Sequence, residues 1–225
     1  MTLSIVGRCA ETGQLGVAIS SSSIAVGARC PWLRSSVGAV SSQNITLPAL
    51  GPETLGFLEK GLSPGDALNA ALATDSHSQY RQLIAIDSQG RTAHFSGGKT
   101  LGVHEAMSGE QCAAAGNMLA SASVIGAMVK AFAASSGHLA DRLMAAMQAG
   151  LAEGGEAGPL HSSALMVIDD FVWPIVNLRV DWADEDPVGK LEGLWQAYKP
   201  QMQDYIDRAL EPARAPGYGV PGDDR

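Results

Sequence analysis

Aromatic residues make up only 5% of the 225-residue chain, four each of Phe, Trp and Tyr, and cysteine occurs three times. Cys9, Cys30 and Cys112 are odd in number, widely spaced and without a CxxC pair, which argues against a disulfide framework and against a thiolate zinc site. Long hydrophobic runs are missing as well. Ser163 to Ile168 and Phe171 to Val180 fall well short of the ~20 apolar residues that cross a bilayer, so no membrane partner is expected. Met1 to Arg8 carries no basic segment leading into an apolar one, so no secretory signal is visible and a cytoplasmic location is expected. Positive charge is scarce: 15 Lys and Arg against 23 Asp and Glu leave a net charge of −8. A phosphate backbone is a poor partner for such a surface, and no nucleic-acid binding is expected. The chain has no GxxxxGK[ST] loop, no GxGxxG after a strand, no HExxH and no GxSxG elbow, so nucleotide, zinc-peptidase and α/β-hydrolase chemistry lose their sequence support. His77, His94, His104, His138 and His161 show no ligand spacing, and neither a metal nor a cofactor is expected.

What is present is enough for a core. Hydrophobic residues are 46% and charged residues 17%, so one self-folding domain is expected. Leu3 to Arg8 and Leu15 to Ile19, around Glu11-Thr12-Gly13-Gln14, read as a hairpin, and Val37 to Gln43 as a third strand. Glu53 to Lys60 is helix-like, stopped by Gly61. Ser63 caps a second helix that opens on Pro64. Tyr80 to Ile86 and Arg91 to Phe95 form another hairpin, followed by Gly97-Gly98 and a polar loop to Gly116-Asn117. Ser123 to Ala134 and Leu139 to Ala152 have apolar residues at helical spacing. Ser163 to Ile168 and Ile175 to Asp181 are the last strands. From Pro187 an amphipathic helix follows, kinked near Pro200. Strands in antiparallel hairpins and helices in pairs predict an α+β fold, with sheets packed face to face and helix pairs outside. The boundaries expected are 1–185 for the main domain, 186–211 for the C-terminal helix and 212–225 for a disordered tail.

The chain opens on Met1-Thr2 followed at once by a strand. If Met1 is removed, the Thr2 hydroxyl lies beside its own free α-amine, a self-contained nucleophile and base. An amine with an ordinary pKa of roughly 7.7–8.0 is partly neutral at physiological pH and can take the hydroxyl proton.

Several segments resemble a bacterial family of unknown function that is grouped with the N-terminal-nucleophile (Ntn) hydrolases. They are Thr2 to Arg8, Gly13 to Ala18, Ala25-Val26-Gly27 with Pro31-Trp32, Val37 to Val40 with Gln43, Tyr80-Arg81-Gln82, and Gly116 to Leu119. The resemblance covers about residues 2–185 and implies a four-layer αββα sandwich. By superfamily analogy it implies hydrolysis of a small amide. Carried over, Thr2 matches the nucleophile and Asn117 the asparagine that donates to the oxyanion. Ser21 and Ser22 become polar neighbours of Thr2. Arg34 falls where proteasome-type relatives carry a lysine. Gln43, His104 and His161 are candidate substrate contacts, the two histidines flanking segments expected near one another at the sheet ends. The chain departs from the family in having Leu47 between Thr46 and Pro48, Gly154-Gly155-Glu156-Ala157-Gly158-Pro159 without arginine, and His161 in place of glutamine. The alternative is a catalytically silent Ntn-fold protein that binds a small molecule or serves in an assembly. The late amphipathic helix fits a homo-oligomer, a dimer in the simplest case.

Overall fold

A computed structural model describes residues 1–223 of the chain. Ten strands form two antiparallel sheets. β1 (Thr2–Arg8), β2 (Leu15–Ser21), β7 (Glu105–Gly109), β8 (Cys112–Asn117), β9 (Ser162–Ile168) and β10 (Pro174–Val180) make a six-stranded sheet in the order β10-β9-β2-β1-β8-β7. β3 (Pro31–Arg34), β4 (Gly38–Asn44), β5 (Arg81–Asp87) and β6 (Thr92–Ser96) make a four-stranded sheet in sequence order. Helices α1 (Leu50–Glu59) and α2 (Pro64–Leu72) cover the outer face of the smaller sheet, and α3 (Ser123–Ala134) and α4 (Leu139–Ala152) that of the larger one. The result is an αββα sandwich. α5 (Pro187–Tyr198) adds to the second helical layer through Leu191 and Trp195, both fully buried.

Alternation along the strands sorts the layers. In β1, Leu3 and Ile5 join the core under α3 and α4, whereas Val6 faces the other sheet with Val17, Ala39, Ile84, Ile86, Ala113 and Ala115. Thr2 and Ser4 share the parity of Val6, so the period of two turns them inward between the sheets. Under the smaller sheet, Val40, Leu83 and Ala85 pack on Leu50, Leu55, Leu58 and Leu68.

Two differences from the sequence reading stand out. The stretch read as a polar loop before Gly116-Asn117 is the β7–β8 hairpin, with Ala113, Ala114 and Ala115 fully buried. Alanine has little strand preference; here its small size suits a strand pressed between the other sheet and the α3 layer. The second is β3, which opens on Pro31 at the edge of its sheet, where a missing N–H costs no ladder bond. The helix expected from Pro187 breaks at Pro200 into α5, a short 3-10 turn and α6 (Met202–Leu210). Beyond it, the segment expected as a tail runs back on α6: Arg208 donates to the carbonyls of Pro216 and Gly217 and lies 4.0 Å from the centre of the Tyr218 ring. Residues 224 and 225 of that segment lie outside the described residues.

Gly16 illustrates how tightly the central sheet packs. A methyl group there would sit 2.7 Å from Leu143 Cδ1 and 2.9 Å from the Met166 carbonyl oxygen. Gly16→Ala should therefore destabilise the protein by about 1–3 kcal/mol in urea unfolding, because the carbonyl belongs to the neighbouring strand and cannot step aside.

Candidate functional site

Towards the Thr2 end of β1 the space between the sheets changes character. The apolar layer of Val6, Ile84 and Ile86 gives way to Ser4, Ser41, Gln43, Gln82 and Asn117, all buried. Ser4 Oγ donates to Gln43 Oε1 at 2.6 Å, and Gln43 Nε2 donates to Gln82 Oε1 at 2.8 Å and to the Ala115 carbonyl at 3.2 Å. Asn117 Nδ2 donates to the same Gln82 oxygen at 3.0 Å. Gln82 Nε2 in turn reaches Ser96 Oγ and the Gly116 carbonyl. Buried amides of this kind are stable only when their donors and acceptors are matched.

Thr2 sits at the end of that network, 6% exposed, paired across the sheet with Ser21 on one side and Asn117 on the other. Its hydroxyl donates to the Met1 carbonyl at 2.6 Å and lies 3.2 Å from Ser21 Oγ, which also donates to the Met1 carbonyl at 2.6 Å. Asn117, fully buried, leaves its Oδ1 without a partner.

A second group closes the site from the loop after α4. The loop is pinned beside Asn117 by Ala120 N–H to the Gly155 carbonyl and Ala157 N–H to the Met118 carbonyl, both at 2.9 Å, which brackets Glu156. Glu156 is 7% exposed, and neither carboxylate oxygen has a partner at hydrogen-bonding geometry. Burial pushes its carboxyl up to about 8, against the pull of the chain's α-amine and the Ser22 main chain. Burial lowers the pKa of the Met1 amine, and the charge of Glu156 opposes that shift. The two groups are thus electrostatic neighbours, and Gly158 on the same loop meets the Met1 side chain. Among the described residues no three His, Cys, Asp or Glu side chains converge as a metal site, and no helix is long and apolar enough to cross a membrane.

This arrangement occurs in a chain whose residues 2–191 match the model of a family of unknown function, DUF1028. The chain belongs to that family. A crystal structure of a DUF1028 protein from Silicibacter pomeroyi is 35% identical and aligns with a TM-score of 0.84, over 91% of this chain and 89% of that one. Anbu, the ancestral β-subunit, from Yersinia bercovieri aligns over 97% of this chain and all of its own at 11% identity, with a TM-score of 0.42. The Gly-1 mutant of Anbu from Hyphomicrobium sp. strain MC1 aligns over 92% and 100% at 14% identity, with a TM-score of 0.43. No curated protein matches the chain.

Of the residues singled out in this DUF1028 sequence, Thr2, Ser21 and Asn117 come together, Gln43 joins through Gln82, and Ser22 presents its main chain to Glu156. Arg34 lies elsewhere: it pairs with Gly38 at the far end of β4 from Gln43 and is bound to Glu59 at 2.7 Å. His104 and His161 lie at the same sheet end as Thr2 but on opposite flanks, with β2, β1 and β8 between them. His104 Nδ1 is 3.0 Å from the Gly102 carbonyl and its ring is exposed. The His161 ring stacks on Trp182 at 4.3 Å, with Nδ1 2.9 Å from the Ala183 carbonyl.

Two residues of the site escaped the sequence reading. Gln82 continues the inward parity of Ile84 and Ile86, so a polar residue on a buried face was its signal. Glu156 is the one charge in a run of Gly, Ala and Pro from 154 to 159, which the sequence marks only by its lack of arginine.

Gln82→Ala removes the acceptor shared by Gln43 and Asn117 and should cost about 1–3 kcal/mol for each donor left unmet, measured by denaturant unfolding. The raised Glu156 carboxyl fixes the sign of a pH effect. The fold holds a proton there that the unfolded chain loses above about 4.5, so this group's contribution to stability declines as pH rises towards about 8. In thermal melts the Tm of Glu156→Gln minus that of wild type should increase over this interval.

Proposed function

We propose that this DUF1028 protein is an Ntn-type amidohydrolase for a small amide, with Thr2 as nucleophile once Met1 is removed. The observation that carries the reading is the position of Thr2 at the start of a central strand, paired with Ser21 and Asn117 on the two neighbouring strands, its Oγ1 hydrogen-bonded to the carbonyl of the residue that must leave. In the proposed reaction Oγ1 attacks the amide carbon while the Thr2 α-amine takes the hydroxyl proton and passes it to the departing amine. Water then hydrolyses the threonyl ester. Asn117, anchored by Gln82, keeps a second Nδ2 hydrogen for the developing oxyanion. The reading includes a cytoplasmic setting and a homodimer, the C-terminal helices supplying exposed Leu194, Tyr205 and Leu210.

One observation favours a second reading. Met1 fits the site closely, its amine by Glu156 and its carbonyl bound by both hydroxyls. A chain that keeps Met1 has no free threonine amine and would be a silent, ligand-binding member of the fold. Intact mass decides between them. Protein purified without an N-terminal tag should be lighter by one methionine, and Thr2→Ala should lower amide turnover by at least ~10³-fold. Full retention of Met1, or unchanged turnover in the variant, rejects the hydrolase.

A further inference from the structure

The orphan polar atoms around Thr2 share one property. Asn117 Oδ1, Glu156 Oε1 and Glu156 Oε2 are all buried and have no partner at hydrogen-bonding geometry, and once Glu156 is ionised all three are acceptors. Glu156 also lines a cavity of about 360 Å³ together with Gly158, Asp184, Glu185 and Asp186, and no Lys or Arg is among the described residues that line it. Among the described residues Glu156 has no ion pair and no side-chain donor. A ligand that partners Glu156 must bring a donor and positive charge, since a buried carboxylate without a counter-charge or hydrogen bonds is costly.

Met1 shows where such a group sits. Its carbonyl lies against the Thr2 and Ser21 hydroxyls, its α-amine neighbours Glu156, and its side chain rests on Gly158 at the cavity wall. That is the layout of an α-amino-acyl group: the carbonyl is hydrogen-bonded, the side chain lies against Gly158, and the amine feels the charge of Glu156 without an ion pair between them. Removing Met1 empties all three positions together.

We propose that the volume Met1 leaves is a subsite for an α-amino-acyl group with a free amine, Glu156 holding the substrate's ammonium, so that the substrates are unblocked amino-acid amides or peptide N-termini. This rests on the hydrolase reading for its chemistry but not for its binding. The acidic wall of Asp184, Glu185 and Asp186 turns away acidic side chains, and Leu151, Leu160 and Val188 on the same wall accept apolar ones.

The test uses wild type and variants from which Met1 has been removed, verified by mass. Binding of L-methioninamide and N-acetyl-L-methioninamide is measured by calorimetry on the Thr2→Ala form, where turnover does not interfere. Turnover of the two matching p-nitroanilides is followed on wild type. Acetylation removes the ammonium and little else, so the free-amine compound should bind at least about tenfold more tightly, and Glu156→Gln should abolish that preference while its melting stays cooperative. Equal or tighter binding of the acetylated compound, or no binding of either, overturns the proposal. So does an equal loss for both in Glu156→Gln, which would mean that Glu156 serves the Thr2 amine instead. Turnover of both anilides without preference would leave the hydrolase standing and reject the subsite. Selective binding with neither anilide cleaved would support the subsite and reject the hydrolase.

Discussion

The side-chain oxygen of Gln82, Oε1, accepts from Gln43 at 2.8 Å and from Asn117 at 3.0 Å, and in doing so ties the two sheets together where the layer between them turns polar. Gln43 and Gln82 stand on adjacent strands of the smaller sheet, whereas Asn117 stands on the larger one, beside Thr2. Three amides meeting in a water-poor layer must match every strong donor to an acceptor. A one-residue slip of β1 or β8 would turn Ser4 or Asn117 away from this network and bring Leu3 or Gly116 into it. The register of the central strands and the place of Thr2 are therefore set by the same few bonds. The apolar part of the inter-sheet layer supplies burial energy, but apolar contacts are non-directional and tolerate small shifts. Directionality comes from the amides.

That division of labour also explains what could be read in the sequence. The hairpins of β1–β2 and β5–β6 announce themselves through turn residues and alternating apolar runs, and the helices through spacing and caps such as Ser63, whose side chain accepts from the Asp66 N–H. The β7–β8 hairpin is silent because its inner strand is built of Ala113 to Gly116, residues selected for closeness to neighbours and not for strand preference. Thr2 and Asn117 were legible as a motif, and cross-strand pairing brings them together although 115 positions separate them. Gln82 lay in an otherwise ordinary strand. Glu156 was hidden for a different reason: its environment is made by the main chain at Met118–Ala120 and by Met1, contacts between segments that no local pattern joins.

The electrostatics around Thr2 follow from how its basic neighbours are held: Arg29 donates to Ser23 Oγ at 2.6 Å, and that hydroxyl, 2.9 Å from Ser21 Oγ, separates the guanidinium from Thr2. Arg8 stands at the opposite end of β1, Arg34 is occupied by Glu59, and Arg81 is buried against Asp75 at 2.7 Å on the far face of its strand. Among the described residues no guanidinium bonds to Thr2 or forms an ion pair with Glu156. In a site with a lysine beside the nucleophile, a fixed positive charge lowers the hydroxyl's pKa. Here the available lever is desolvation, which already lowers the pKa of the Met1 amine and so favours its neutral form. A threonine amine in the same surroundings would be shifted in the same direction, towards the form able to accept a proton.

Glu156 opposes that shift, since its negative charge stabilises an ammonium. The two demands conflict only if one amine must satisfy both. With a single amine, the carboxylate would hold it protonated and spoil it as a base. With two, an ammonium from the substrate neutralises Glu156 and leaves the threonine amine free to lose its proton. On the proposed hydrolase reading, substrate binding and activation of Thr2 then become one event: the site in which Glu156 has no ion pair is poorly set for catalysis, and the charge that completes it arrives with the group to be cleaved.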